Sequence, residues 1–272
     1  MDLLCQILNV SRSGYYAWRK RPPCAQARRQ ETLIEHIKAA HAASRQTYGA
    51  PRVHAELRAQ GVPCSKNTVA RLMQKEQIRS KRSRKFVVCT TDSRHPHPIA
   101  PNRLNREFER TRPNQAWVCD ITYVPTDEGW LYLAAVLDLC SRKVVGWSVE
   151  DHLRAELPRQ ALEMAVNSRL PQDPVLHHSD RGVQYACDDY RLMLEKHGLV
   201  GSMSRKGNCY DNAVMESFFG SLKTELVHHT RFETKLDARK ALFEYVEVFY
   251  NRVRRHSALG YRSPADYEQS LN

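Results

Sequence analysis

Three carboxylates in distinctive local contexts are the residues of this chain best suited to chemistry. Asp120 lies in WVCDITY, Asp180 in HHSDRG and Glu216 in GNCYDNAVMESF. A charged Asp in an apolar, β-branched strand is costly to bury unless something compensates its charge, and a divalent cation does so well. Two such ions, roughly 3.5 to 4 Å apart, activate an attacking oxygen and stabilise a leaving oxygen at phosphorus. The three acids therefore indicate nucleotidyl-transfer chemistry.

The residues around the first acid predict a three-stranded meander. An apolar, β-branched segment over 118–124 carries Asp120, and strands over 130–139 and 143–149 follow after short polar turns. Asp180 closes a short apolar run that opens into a turn, as at the end of a strand. Two of the acids are thus predicted to belong to the strands of one sheet.

A helix is predicted around the third acid. Apolar residues recur there at spacings typical of one face of an α-helix. Asp211 is expected to cap this helix, which would place Glu216 in its second turn. Lys223, two turns further on, lies on nearly the same face. The apolar stripe consists of Met215, Phe219, Leu222 and Leu226.

Alternatives stay open at the acidic positions, because a chain with 30 acidic residues contains many triples of acids. Asp120 and Asp180 could be turn or cap residues at strand ends. Glu216 could lie on a solvated helix face, with Glu225 or Asp211 as the ligand instead. Context favours the first assignment in each case, since each acid closes or interrupts a well-defined apolar element.

Three further residues invite a metal-site or charge interpretation. Asp138 also lies in an apolar strand, but Ser141 and Arg142 follow it, and we expect it to pair locally near the turn. His177 and His178 could be ligands beside the second acid. Histidines at a strand end more often pack or form hydrogen bonds, which is the interpretation that we favour.

Composition bounds the class of protein. With 272 residues and 42% hydrophobic content, the chain can form one good core and a smaller module. It has neither a secretory signal nor an apolar run near the ~20 residues that cross a bilayer, so we expect a soluble, cytoplasmic protein. The eight cysteines form no CxxC motif, which argues against a zinc site and for reduced thiols. Cys119 is expected to point into the core, on the strand face opposite Asp120.

The formal charge of +12 is unevenly placed along the chain. Residues 1–113 carry 23 Lys and Arg against 8 Asp and Glu, whereas residues 114–272 carry 19 against 22. The first part is therefore predicted to bind polyanions. The mildly acidic second part suits a site that must recruit divalent cations before it approaches phosphate.

A helix-turn-helix is predicted at about 51–76, within the basic part. A helix over 51–60 begins with Pro51, Gly61 starts the turn, and Ser65 caps a second helix over 66–76. An ordinary helical hairpin would give the same pattern, but the basic run RSKRSRK after it favours DNA contact. The predicted DNA contacts are Lys66, Asn67, Thr68, Arg71, Arg79, Lys81, Arg82, Arg84 and Lys85.

The domain boundaries follow from these patterns. Residues 1–93 are predicted to form a helical DNA-binding region and residues 114–272 the catalytic core. Between them, residues 94–113 contain four prolines and little periodicity, which is typical of a linker.

Near the C-terminus, the basic tail could be solvated surface or a further DNA contact. It consists of Arg252, Arg254, Arg255 and His256.

From Asn114 to its end the chain resembles the catalytic core of the retroviral integrase superfamily. More specifically, it resembles the transposase encoded by the second reading frame of bacterial insertion sequences of family three. Besides the acids, the matching motifs are Trp117, SDRG, GNCYDNAVMESFFGSLKTE and YNRVRRHSALGYRSP. The motifs span about 150 residues, which makes the resemblance far more specific than any one short pattern.

The resemblance implies a fold and a set of site residues. The fold is α/β: a ribonuclease H-like mixed five-stranded sheet with flanking helices, preceded by the small helical helix-turn-helix region. Asp120, Asp180 and Glu216 would hold two Mg²⁺ (or Mn²⁺) ions, and Lys223 would contact DNA at the element end. Expected partners are double-stranded DNA, further copies of the chain in a homo-multimer, and an upstream reading frame to which the chain is fused; no membrane is expected.

The implied function is that of a DNA transposase, which performs transposition, a form of DNA recombination and integration. Water and then a DNA 3′-hydroxyl would attack a phosphodiester, with no covalent protein intermediate. Two alternatives are a structure-selective nuclease on the same fold and a catalytically silent DNA-binding regulator. The intact acids argue against the regulator, and the closing YNRVRRHSALGYRSP block argues against the nuclease.

Overall fold

The computed structural model describes residues 2–81, 95–206 and 209–271. The chain divides into two compact units, Met1–Arg79 and Ser80–Asn272. Each unit has its own hydrophobic core. Among the described residues, no helix combines the length and the apolar character needed to cross a membrane.

The first unit is helical. Its core joins three of its helices through Ile37, Val53, Leu57 and Leu72, all of which are buried. The helices are α1 (Asp2–Ile7), α2 (Arg12–Lys20), α3 (Ala25–Ala43), α4 (Ala50–Ala59) and α5 (Lys66–Lys75).

Helices α4 and α5 form the predicted helix-turn-helix pair. Ser65 is the N-cap of α5, and its Oγ accepts a hydrogen bond from the Thr68 N–H at 3.2 Å. Gly61, in the turn, has a φ of +75°, a conformation that glycine adopts without steric cost. The helix positions and the cap expected from the sequence are therefore confirmed. Helix α3 was not anticipated, and it supplies the third side of this core.

The second unit is an α/β fold. Its strands are β1 (Ala116–Thr126), β2 (Gly129–Asp138), β3 (Val144–Glu150), β4 (Leu176–Ser179) and β5 (Val200–Met203). Its helices are α6 (Glu156–Arg169), α7 (Val183–Ala186), α8 (Asp188–Lys196), α9 (Ala213–Glu225), α10 (Lys235–Phe243) and α11 (Pro264–Gln269), and a π-helix over Glu244–Tyr250 continues α10.

The strands form one mixed sheet in the order β3-β2-β1-β4-β5. β1 pairs antiparallel with β2, and β2 with β3, which is the predicted meander. β4 lies parallel to both β1 and β5. Parallel neighbours require crossover connections, and the helices α6 and α7–α8 supply them. The expected mixed five-stranded sheet with flanking helices, a ribonuclease H-like architecture, is confirmed.

Two hydrophobic clusters cover the two faces of this sheet. One face packs against α9 and α10 and includes Val118 and Val124 of β1. The other packs against α6 and α8 and includes Trp117 and Cys119. Alternate β1 side chains thus enter opposite cores, which explains why this strand is apolar on both faces. Cys119 is 1% exposed, so its predicted core position is confirmed.

Residues 95–113, predicted as a linker, pack as part of the second unit. Leu104 is fully buried in the cluster on the α9 face. The backbone N–H groups of Arg103 and Leu104 donate to the Ser202 Oγ of β5, at 2.9 and 3.3 Å. The prolines that suggested a linker are compatible with this packing, because irregular backbone can be held by side-chain acceptors.

Asp138 closes the turn between β2 and β3. It is buried, and its carboxylate accepts hydrogen bonds from the N–H groups of Asn114, Cys140 and Ser141 at 2.7, 2.9 and 3.0 Å. Burial raises the pKa of this carboxyl, and these hydrogen bonds oppose the shift. The local pairing expected near the turn is confirmed.

A buried ion pair fixes the C-terminal end of α9. Arg254 and Glu225 are 4% and 8% exposed, and the Arg254 Nη2 lies 2.7 Å from the Glu225 Oε1. The Tyr245 hydroxyl donates to the other carboxylate oxygen at 2.8 Å. The tail was expected to be solvated or to contact DNA, and for Arg254 both expectations are wrong because its guanidinium lies in the core. A buried charge is tolerated only when paired.

The approach of β3 to α6 leaves no room for a side chain at Gly146. A Cβ there would lie 2.1 Å from the Ala161 carbonyl oxygen and 2.6 Å from the Ala165 backbone N. We expect Gly146→Ala to lower the free energy of unfolding by about 1–3 kcal/mol, measured by urea denaturation. The control is Gly220→Ala in α9, where a Cβ meets nothing within 4 Å and helix propensity improves. Equal stability of the two variants would contradict this packing.

Removing the Glu225 charge should destabilise the protein. Glu225 is an alternative metal ligand in the sequence, but in the structure its carboxylate is buried and paired with Arg254. The variant Glu225→Gln leaves the Arg254 guanidinium in the core without its counter-charge, so we expect a loss of about 3 kcal/mol in unfolding free energy. Chemical denaturation measures it, with Asp189→Asn, at an exposed acid on α8, as the control. Matching denaturation midpoints for the two variants would refute the structural role of the pair.

Candidate active site

The first acid lies on the central strand of the sheet. Asp120 is partly buried and faces Ala135 of β2 across the antiparallel ladder. Strand alternation places it with Val118 and Val124 on the α9 face. The Ile121 N–H donates to the Asp120 Oδ1 at 2.8 Å, which fixes one carboxylate oxygen.

The second acid lies beside the first because of the parallel register. Val118 of β1 is paired with His178 of β4. Two residues further along each strand come Asp120 and Asp180, at corresponding positions where β4 has just ended. The Gly182 N–H donates to the Asp180 Oδ1 at 2.9 Å, so the turn that follows the strand orients this carboxylate.

The third acid comes from the start of α9. Glu216 is exposed and lies in the first helical turn, one turn earlier than expected. The expectation that Asp211 caps the helix is wrong: the N-cap is Asn212, and Asp211 is buried and paired with Arg205. The Asn212 Nδ2 donates to the Cys119 carbonyl oxygen at 3.1 Å. This bond joins the start of α9 to the residue that precedes Asp120.

The three carboxylates lie near enough for the charges of Asp180 and Glu216 to act on Asp120. Burial raises the pKa of Asp120 well above its ordinary value, and the charges of Asp180 and Glu216 raise it further. The Ile121 N–H and the Lys223 ammonium oppose this shift. Desolvation of the carboxyl group by neighbouring atoms also raises the pKa of Glu216. The site thus concentrates negative charge that only partly finds a counter-charge among these neighbours.

This donor set fits divalent metal ions. Every donor is a carboxylate oxygen, which is the ligand type that hard cations such as Mg²⁺ prefer. A bound cation would relieve the repulsion that raises the pKa of Asp120. Among the described residues, the ligand atoms of Asp120, Asp180 and Glu216 are not all within 4.8 Å of one another, and the one group of three that meets this distance is Glu150, Asp151 and His152. Lys235 lies 3.3 Å from Asp151 and so already compensates part of that charge.

Lys223 lies on α9 next to the acids. Its Nζ is 4.6 Å from the centre of the Tyr123 ring, a cation–π contact. Burial lowers the pKa of this ammonium, while the charge of Asp120 acts in the opposite direction. Glu216 and Lys223 therefore approach the same strand from one helix, as their spacing predicts.

The two histidines beside Asp180 belong to the core. The His177 Nε2 lies 3.1 Å from the Tyr190 hydroxyl, and the His178 Nδ1 lies 2.8 Å from the Ser202 Oγ. Burial lowers their pKa values to about 3 and about 4, so both rings stay neutral at pH 7. The prediction that they pack and form hydrogen bonds is confirmed.

The predicted DNA-contact residues of α5 differ in exposure. Lys66, Asn67 and Arg71 are exposed, whereas Thr68 is partly buried and its Oγ1 lies 2.9 Å from the Ser65 Oγ of the cap. Thr68 therefore takes part in the start of the helix.

The basic run that follows α5 divides between described and undescribed residues. Arg79 is exposed. The Lys81 Nζ donates to the Glu225 carbonyl oxygen at 3.1 Å, a contact within the second unit. Arg82, Arg84 and Lys85 lie outside the described residues.

One polar cluster at the site has no sequence signature. The buried Asp211 carboxylate accepts hydrogen bonds from Asn102, Arg106 and Arg205. Asn102 and Arg205, the outermost of the three donors, are more than 90 residues apart in sequence. All three donors lie in irregular segments, so no periodicity links them. The one hint is the position of Asp211 directly before the helix that carries Glu216.

Three family profiles match the chain. Profiles described as "Integrase core domain" match residues 110–209 and 216–271, and a profile described as "HTH-like domain" matches residues 28–86. Among solved structures, the simian T-cell lymphotropic virus intasome in complex with PP2A regulatory subunit B56 gamma gives a TM-score of 0.49. Its identity is 13%, with 86% of this chain and 74% of that chain covered. The HTLV-2 integrase catalytic core domain in complex with magnesium gives a TM-score of 0.44 at 16% identity, with 58% and 97% covered.

Curated relatives match almost the whole chain. The insertion element IS600 uncharacterized 31 kDa protein of Shigella sonnei is 47% identical over 269 residues, which covers 99% of this chain and 98% of the relative. The transposase InsF for insertion sequence IS3A of Escherichia coli (strain K12) is 46% identical over 267 residues, covering 97% and 92%. With nearly half of its residues identical to these relatives from end to end, the chain belongs to insertion-sequence family three, the IS3 family of transposases.

Proposed function

We propose that this protein cuts DNA at the ends of an insertion sequence and joins those ends to a target. The observation that carries the proposal is the convergence of Asp120, Asp180 and Glu216 from two neighbouring strands and one helix. Relatives named as transposases support it. The two alternatives, a structure-selective nuclease and a silent regulator, find no specific support in the geometry.

We assign Asp120, Asp180 and Glu216 as ligands of two divalent ions, Mg²⁺ or Mn²⁺. When bound, such ions activate the attacking oxygen and stabilise the leaving oxygen at phosphorus. Asp120 and Asp180 are held by the sheet and by backbone N–H groups, so their positions are preset. Glu216 approaches from an exposed helical turn, where DNA can reach it.

Lys223 would contact the DNA backbone at the element end. Its ammonium contacts the Tyr123 ring and interacts with the charge of Asp120, and the residue lies on the helix that carries Glu216. A fixed cation beside the acids can position a phosphate without itself holding metal. Water would be the first nucleophile and a DNA 3′-hydroxyl the second. The same site would therefore first hydrolyse a phosphodiester at the element end and then join that end to target DNA.

The first unit would supply much of the DNA affinity. Its helix-turn-helix presents Lys66, Asn67 and Arg71 on the exposed surface of α5, as required for a recognition helix in the major groove. The proposed contact set also includes Thr68, Arg79 and Lys81 and, outside the described residues, Arg82, Arg84 and Lys85.

We further propose that several copies act together on two DNA ends and that an upstream reading frame contributes to the active form. The proposed location of the protein is the cytoplasm.

The decisive experiment is strand transfer. A labelled duplex carrying an element end is incubated with the protein and Mg²⁺, and the products are separated by size. Products longer than the substrate support transposition. Shortened products alone would support the nuclease, and an unchanged substrate that is still bound would support the regulator.

Neutralising one acid should remove activity without removing stability. Asp120→Asn and Asp180→Asn keep the shape of the side chain but remove the repulsion between carboxylates. We expect each of these variants, and Glu216→Gln, to lose at least ~100-fold in both cleavage and joining. In metal-free buffer, the thermal midpoint of Asp120→Asn should equal or exceed that of the parent.

Metal binding provides an independent readout for the same variants. Mg²⁺ should raise the thermal midpoint of the parent protein, because ligand binding to the folded state stabilises it. Mg²⁺ should raise the thermal midpoint of each of the three variants much less. Asp189→Asn, at an exposed acid on α8, is the control and should behave as the parent. If Glu216→Gln kept the activity and the Mg²⁺ response of the parent, Glu216 would not be a ligand.

Removing exposed cations from α5 should weaken DNA binding in a salt-dependent way. If Lys66 and Arg71 contact phosphates, alanine at each position should reduce the slope of log affinity against log salt by about 0.9. A base-specific contact by Arg71 would instead relax the preference for the element end. Fluorescence anisotropy with end and scrambled duplexes separates the two results. Unchanged affinity and slope for both variants would remove α5 from the interface.

A further inference from the structure

A fully buried carboxylate holds two arginine side chains near the start of α9. Asp211 is 0% exposed. Its oxygens accept hydrogen bonds from the Arg205 backbone N–H, Nε and Nη2 at 2.8, 3.0 and 2.9 Å, and from the Arg106 Nε at 3.0 Å. The Asn102 Nδ2 adds another at 2.9 Å. The side-chain hydrogen bond from Arg205 contributes most to holding the pKa of Asp211 well below its usual range, so the carboxylate stays ionised.

The cluster carries more positive than negative charge. Two guanidinium groups share one carboxylate, which leaves one positive charge in excess. The side chains of Arg106 and Arg205 remain 45% and 47% exposed. Within the described part of the chain, Nη1 and Nη2 of Arg106 and Nη1 of Arg205 donate to no protein acceptor. These N–H groups are therefore oriented but still available to an anion.

The backbone at Arg106 is held in an uncommon conformation. Asn105 and Arg106 have φ values of 46° and 63°, in the left-handed region that non-glycine residues rarely occupy. The Asn105 N–H donates to the Asn102 Oδ1 at 2.8 Å, and the neighbouring Leu104 is buried in the core, so the turn is well anchored. Such strained positions cluster at functional sites.

An exposed aromatic ring completes the orientation of Arg106. The Arg106 Cζ lies 5.6 Å from the centre of the Tyr210 ring, and Tyr210 is 67% exposed. A guanidinium that is hydrogen-bonded at Nε and lies over an aromatic face has lost much of its rotational freedom. Its remaining fork of donors matches two oxygens of a phosphate group.

The cluster is covalently and spatially close to the active site. Asp211 directly precedes Asn212, whose side chain binds the Cys119 carbonyl beside Asp120. The helix that follows carries Glu216. We propose that Arg106 and Arg205 form a preorganised phosphodiester-binding site that holds the DNA backbone next to the three carboxylates. The assignment rests on the proposed function, and it places a basic surface beside residues 114–272, whose net charge is acidic.

The test measures DNA binding of the full chain in the absence of divalent metal, so that no chemistry occurs. The probe is a fluorescently labelled duplex carrying an element end, and anisotropy is recorded over a range of NaCl concentrations. We expect Arg106→Gln and Arg205→Gln each to reduce the slope of log affinity against log salt by about 0.9. The matched control is Arg231→Gln, which removes an exposed arginine whose Nε likewise pairs with a carboxylate, that of Asp127.

Two further variants guard against loss of folding. Arg205→Gln could destabilise the buried Asp211, so thermal midpoints are measured alongside. Arg106 contributes only its Nε to Asp211, and Arg106→Lys should keep the slope of the parent but bind DNA several-fold more weakly, since lysine lacks the fork. Asp211→Asn keeps both arginines but releases them, and it should likewise lower affinity while preserving the slope.

The outcomes separate this site from the catalytic proposal. Slopes of Arg106→Gln and Arg205→Gln equal to that of the parent, in folded protein, overturn the phosphate site. The phosphate site is also overturned if Arg231→Gln reduces the slope as much as the two test variants do, because net charge alone would then explain the effect. A parent protein that shows the expected slopes but yields no joined product would contradict the transposase proposal and leave the phosphate site intact.

Discussion

Repulsion among carboxylates is the constraint on which the candidate active site depends. Asp120 lies on β1, Asp180 directly follows the parallel strand β4, and Glu216 approaches from the facing helix. Burial raises the pKa of Asp120, and without a cation the repulsion from Asp180 and Glu216 raises it further. The fold must therefore hold the three acids together by forces that act elsewhere. Such a site binds cations favourably, because the free energy needed to bring the like charges together has already been supplied by folding.

Those forces act on the two ends of α9. At its start, Asn212 binds the backbone of β1, and the preceding Asp211 collects Asn102, Arg106 and Arg205. At its end, the buried pair of Glu225 with Arg254 ties the helix to the C-terminal segment. The apolar face of α9 packs on the sheet between these two polar anchors. The position of Glu216 relative to Asp120 thus follows from contacts at both ends of one helix.

The charge of the chain is distributed differently in space than in sequence. Counting along the sequence assigns all of the excess positive charge to residues 1–113 and leaves residues 114–272 acidic. In the structure, residues 95–113 pack on the second unit, and they bring Arg106 to the buried Asp211. A basic surface therefore adjoins the acidic site, which suits an enzyme that must hold both a cation and a DNA backbone.

The sequence by itself determined the local elements and singled out the three candidate acids. Apolar periodicity placed the meander, the helix of Glu216 and the helix-turn-helix, because short-range burial patterns decide where strands and helices form. The tertiary structure decided which polar residues meet. Asp211 was expected as a cap and is a buried anchor, Arg254 was expected at the surface and lies in the core, and residues 95–113 were expected as a linker and pack on the sheet. Such pairings join residues far apart in the chain, and no local pattern encodes them, since a charge is buried only where folding supplies its partner.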